Sequence, residues 1–136
     1  MRTALDSSVL LDVITDDPRF ADGSEAALRR AAREGVLVVG ECVLAEIRPA
    51  LPEGNVEEFL ADWQIEFIAS TRQSALLAGS MFGKYLRRRP HLEGRVIPDF
   101  LIGAHAFLLA DRLLARDRGY LRDYFGKLKL MTPQQS

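Results

Sequence analysis

A chain of 136 residues, 48% of them hydrophobic and 27% charged, has the length of one domain and enough apolar material for a real core. Its formal net charge of −1 gives no global pull on nucleic acid, so any such attraction must be local. The composition excludes a disordered chain, the single Cys42 excludes an internal disulfide or a thiolate zinc cage, and no apolar run is long enough to span a membrane. With no signal-peptide pattern at the start, the expectation is one cytoplasmic domain over residues 1–136.

The chain opens on a short apolar strand that ends in Asp6, Ser7 and Ser8. Val9, Leu10, Val13 and Ile14 then mark an amphipathic helix ending near Asp16-Asp17-Pro18. Asp22-Gly23-Ser24-Glu25 offers N-caps for a second helix, which Gly35 closes. Val36-Leu37-Val38-Val39 reads as a parallel strand buried on both faces. From Gly40 a third helix carries Val43, Leu44, Ile47 and Leu51 at core spacing, with Glu46 on a face expected to be partly buried and Pro49 as the breaker.

A short helix through Val56 to Trp63 precedes a strand at Ile65-Glu66-Phe67-Ile68, and Ser70-Thr71 caps a long helix from Ser74 to Arg89. Its last turn is an arginine run: Lys84, Arg87, Arg88 and Arg89, with Arg95 beyond, form either a phosphate-binding rim or a solvated, dipole-favoured helix end. Pro98-Asp99 starts a helix that is apolar nearly all round and therefore buried. Leu113-Leu114-Ala115 makes a strand closing on Arg116-Asp117, Tyr120 to Phe125 a short helix, and Leu128 to Met131 a final strand before Pro133. This alternation predicts a three-layer α/β/α sandwich around a central, mainly parallel sheet of four to five strands.

Asp6, Glu46, Asp99 and Asp117 share one placement, at a strand end or in the opening turns of a helix. In a parallel sheet those positions converge on one edge. Carboxylates gathered there repel one another, and a hard divalent cation such as magnesium or manganese resolves the repulsion while orienting water for phosphodiester hydrolysis. Each acid also has a bland reading, Asp6 or Ser7 as an N-cap and Asp99 as a first-turn acid. Asp12 and Glu41 read as solvated or dipole-favoured acids, Cys42 as a packed apolar residue, and His91 and His105 as non-ligands for want of a second histidine at ligand spacing.

The segments Leu5-Asp6-Ser7-Ser8-Val9-Leu10, Leu44-Ala45-Glu46-Ile47, Pro98-Asp99-Phe100-Leu101-Ile102-Gly103-Ala104-His105-Ala106 and Ala115-Arg116-Asp117-Arg118-Gly119-Tyr120 resemble the four acidic motifs of PIN-domain ribonucleases. In length and closing strand the chain is similar to the VapC toxins of toxin–antitoxin pairs. The resemblance implies an α/β/α fold, magnesium- or manganese-dependent RNA hydrolysis, a homodimer and inhibition by an antitoxin protein. It makes Asp6, Glu46, Asp99 and Asp117 the catalytic and metal-binding acids, with Ser7 supporting them by hydrogen bonds and Asp123 as a neighbour of the fourth acid. On the phosphate-rim reading above, Arg87, Arg88, Arg89 and Arg95 are the RNA-facing cations. The competing expectation is a non-catalytic PIN-like module that binds RNA or protein. Receiver, haloacid-dehalogenase-like and P-loop chemistries are disfavoured by Ser7 and Ser8 after Asp6 and by the lack of a glycine-rich phosphate loop.

Overall fold

The computed structural model describes residues 1–52, 54–88, 97–116 and 123–134. Its elements are β1 (Arg2–Leu5), α1 (Ser7–Ile14), α2 (Ala21–Glu34), β2 (Val36–Val39), α3 (Glu41–Ile47), α4 (Asn55–Asp62), β3 (Ile65–Phe67), α5 (Arg72–Arg88), α6 (Ile97–Leu109), β4 (Arg112–Leu114) and β5 (Leu130–Met131). A single 3₁₀ turn, Arg48–Ala50, ends α3, as Pro49 dictates by withholding an N–H.

The five strands form one sheet in the order β3-β2-β1-β4-β5, and every pairing is parallel. Strands β1 and β2 are buried from their second residue onward, as their unbroken apolar runs require of strands covered on both faces. Connections β1 to β2 and β2 to β3 step one way across the sheet, whereas α5 and α6 carry the chain back over it to β4, on the far side of β1. Right-handed crossovers then put α1 to α4 on one face and α5 and α6 on the other. The core under α5 and α6 is aromatic, with Phe82, Tyr85, Phe100 and Tyr124 at centroid separations of 5.4–6.3 Å.

Local signals mostly hold. Thr71 and Ser74 exchange side-chain and backbone hydrogen bonds (2.9 and 3.0 Å) at the start of α5, a reciprocal cap of the kind expected there. Gly35 lets α2 turn into β2, since a Cβ at that position would collide with the Met1 carbonyl, which accepts the Val36 N–H (2.8 Å) and opens the β1–β2 ladder. The start of α2 differs from expectation. Asp17 accepts the N–H groups of Arg19 and Phe20 (2.8 and 3.0 Å) and the helix begins at Ala21, so Asp22 and Ser24 lie inside it. Tyr120, Leu121 and Arg122 of the predicted Tyr120 to Phe125 helix fall outside the described residues, and the last strand shortens to Leu130–Met131.

Candidate functional site

Between the parallel strands β1 and β4 the order of connection switches, the chain leaving β1 toward β2 on one side and β4 toward β5 on the other. At such a switch point the loops beyond the carboxyl ends of the two strands diverge and leave a crevice. Asp6 stands there. Its N–H still donates to Leu114 O of β4 (2.9 Å), so the backbone is held in the sheet while the side chain turns into the rim. Carboxylate Oδ2 accepts the Ser8 N–H (3.2 Å) and the Ser8 hydroxyl (2.5 Å), and Asp6 is only 3% exposed. The cap of α1 and the rim acid are thus one residue. The hydroxyl bound to it is that of Ser8, whereas Ser7 is buried beside it.

Direction places two more acids. Helix α6 leads into β4 and so runs antiparallel to the strands and begins at their carboxyl edge. Asp99 in its first turn is half-buried there, on a helix seated by the fully buried Phe100. Helix α3 follows β2 and leaves from the same edge, with Glu46 in its last turn. Glu46 is exposed, against the expectation of partial burial. Val43 and Ile47 are the residues of α3 that turn inward, and Glu46, about 100° round the helix from Ile47, falls outside their stripe. Asp117, Arg89, Arg95 and His91 lie outside the described residues. Asp123 is exposed. Arg87 and Arg88 are exposed in the last turn of α5, Arg88 with its guanidinium 5.2 Å from the Tyr124 ring centroid.

The carboxylate donors suit a hard cation in kind, yet among the described residues no three acids, histidines or cysteines are grouped closely enough to hold a metal ion. A wide cavity of about 860 Å³ lies elsewhere, between α4 and β3, lined among the described residues by Trp63, Ile65 and Phe67 and not by Asp6, Glu46 or Asp99. Because its walls are mainly apolar while hydrolysis of a polyanion needs charge, the crevice at Asp6 is the better candidate.

Helix α1 holds a second acid, one that sequence reasoning places on the surface. Asp12 is 3% exposed. Its Oδ2 accepts the hydroxyl of fully buried Ser24 (2.7 Å) and lies 3.1 Å from Nε of Arg116. That Nε is out of line for a hydrogen bond, so the contact is ionic. The Arg116 guanidinium also covers the Phe20 ring at 4.1 Å. The available signal is Asp12 standing between Leu11 and Val13 in a helix that is apolar apart from its serines, where a solvated face has little room.

Glu41 is exposed as expected, but both its oxygens receive the Ser70 N–H (2.9 and 3.2 Å), tying the start of α3 to the loop after β3. Burial raises its carboxyl, and hydrogen bonds from Ser70 and its own backbone with the charge of His105 outweigh that, leaving it below the ordinary carboxylate value. Burial, then the charges of Glu41 and Glu46, push the Cys42 thiol up, so it is no poised nucleophile. Buried His105 lies against Ile68 O through Nε2 (2.6 Å). A carbonyl only accepts, so Nε2 carries the proton and is not a metal ligand. Gly40 makes room for this ring, since a Cβ there would stand 3.0 Å from it.

No protein-family model matches the sequence, and no curated protein matches it. A solved structure does: VapBC2 from Rickettsia felis bound to a DNA fragment from their promoter, at 19% identity and a TM-score of 0.72, with 98% of this chain and all of that chain covered. The likeness is one of fold, and the fold is PIN-like.

Proposed function

We propose that this chain is a magnesium- or manganese-dependent endoribonuclease and the toxin of a toxin–antitoxin pair. The observation that carries the reading is Asp6, a capped and nearly buried carboxylate at the end of the central strand where the sheet topology switches. Asp6, Glu46, Asp99 and Asp117 would hold the ion, with Ser8 rather than Ser7 supporting Asp6. When bound, such an ion activates water and stabilises charge on a phosphodiester. The chain's own part is orientation. The Ser8 hydroxyl and N–H fix one face of the Asp6 carboxylate, and α6 presents Asp99 from the opposite layer. Arg87, Arg88, Arg89 and Arg95 would track the RNA backbone, each meeting a separate phosphate.

The solved neighbour is a VapBC assembly, which supports an antitoxin protein as partner here, and a homodimer is the accompanying assembly. Purified protein is expected to cleave RNA only with added manganese or magnesium. Asp6→Asn, which keeps the helix cap, should reduce cleavage by more than the ~10–100-fold typical of losing a partner that merely supports a metal ligand. Cleavage undiminished in this variant, or in excess chelator, would overturn the reading. Replacing Arg87 and Arg88 together should flatten the dependence of RNA affinity on salt by about 0.7 for each phosphate no longer neutralised; an unchanged slope would return them to a solvated helix end.

A further inference from the structure

Resting on the nuclease reading above, we propose that Asp12 is a positioning residue of the site, acting through Arg116 and the Ser8 hydroxyl on Asp6. Three observations converge on it. An acid 3% exposed on a helix packed against α2 and α3 has lost its water, a cost met only by close partners. Both of those partners reach one oxygen: the Ser24 hydroxyl at 2.7 Å and Arg116 Nε at 3.1 Å. Moreover, Arg116 occupies a special point in the chain. It stands two residues beyond the end of β4 and immediately before Asp117.

Arg116 is therefore gripped on two sides. Its side chain is held by the Asp12 charge and the Phe20 ring. Its backbone N–H approaches Ser8 Oγ (3.5 Å), the same hydroxyl that donates to Asp6 Oδ2 (2.5 Å). A continuous run of contacts thus joins Asp12 on the second turn of α1 to Asp6 at its cap, passing through Arg116 and Ser8. A pair serving stability alone has no need to connect there. Since Nε is out of line for a hydrogen bond, the grip depends on charge and on the flat guanidinium. Asparagine at position 12 or lysine at position 116 should loosen it with little change in volume.

The test is Mn²⁺ binding to the full chain by titration calorimetry, alongside thermal unfolding and steady-state RNA cleavage. Asp12→Asn is expected to weaken Mn²⁺ binding about tenfold, within the range for partners that orient metal ligands, and to lower kcat more than it raises KM. Arg116→Lys should do the same, and the double variant should be no worse than the poorer single one, because both act along one path. Lower thermal stability with unchanged Mn²⁺ affinity in both variants would make the pair a structural brace and overturn the proposal. If Asp12→Asn does not fold, Arg116→Lys and Ser24→Ala decide by the same criterion. A wild-type chain that neither binds Mn²⁺ nor cleaves RNA overturns the nuclease reading itself and this proposal with it, an outcome distinct from binding that is insensitive to position 12.

Discussion

Helices α1 and α3 each follow an inner strand of the sheet, yet they treat their acids in opposite ways. On α1 the carboxylates of Asp6 and Asp12 are 3% exposed and carry hydrogen bonds or an ion pair within the protein. On α3 Glu41 and Glu46 face solvent. The cause is position. Strand β1 is central, with β2 and β4 on either side, and α1 packs against both α2 and α3, leaving little of its circumference to water. Helix α3 rises from β2, which is one strand from the sheet edge. An acid following the central strand is buried and must be partnered, whereas one following the next strand stays in reach of water at little cost.

The largest effect that can break this contrast is at position 12. Asp12→Ala leaves the Arg116 charge and the Ser24 hydroxyl without their acceptor. The expected loss is ~2 kcal/mol in urea unfolding, below the usual figure for breaking a buried pair because the Arg116 side chain is 38% exposed. Glu46→Ala should stay within ~0.5 kcal/mol of wild type. Equal losses at the two positions would show that burial does not separate the helices.

Position 6 sharpens the comparison within α1. Asp6→Ala removes the acceptor for the Ser8 N–H and hydroxyl and should cost ~1 kcal/mol, the usual worth of an N-cap. Asn retains a capping oxygen, so Asp6→Asn should unfold at nearly the wild-type urea midpoint while losing cleavage. A variant pair that is equally unstable would mean that the carboxylate charge, not the cap, holds α1.

Much of this arrangement is legible in the sequence. The Val36 to Val39 run and the Thr3 to Leu5 segment have one physical solution, burial in a covered parallel sheet, and the structure has it from Leu37 and from Thr3 onward. The apolar helix after Pro98 buries one face on that sheet but, against expectation, leaves Phe107 37% exposed. That Asp6 and the starts of α3 and α6, the helices that carry Glu46 and Asp99, lie at one edge follows from chain direction alone. The burial of Asp12 does not, because its partners Ser24 and Arg116 lie 12 and 104 residues away, beyond the reach of local periodicity. Serine near a helix start is usually a cap, yet Asp17 takes that role from further upstream and leaves Ser24 free to turn inward to Asp12. Glu46 is more exposed than its sequence neighbours suggest because Val43 and Ile47 define a narrower stripe than i+3 and i+4 spacing implies.

The smallest effect belongs to Glu41 at the start of α3, whose carboxylate takes the Ser70 N–H. Partial burial raises its folded carboxyl, but the hydrogen bonds from Ser70 and its own backbone, with the charge of His105, carry it below the ordinary value of 4.5. A carboxylate depressed by folding stabilises the protein above its unfolded pKa, and that contribution is lost as pH falls through the folded value. Glu41→Gln should therefore be slightly less stable than wild type at pH 7, and the gap should close below about pH 4.5. Urea midpoints of the two proteins between about pH 3 and 7 read this directly. A gap that persists at the acid end would assign the effect to lost geometry at Ser70 rather than to charge, and would make the rim of α3 more like the interior of α1 than its exposure suggests.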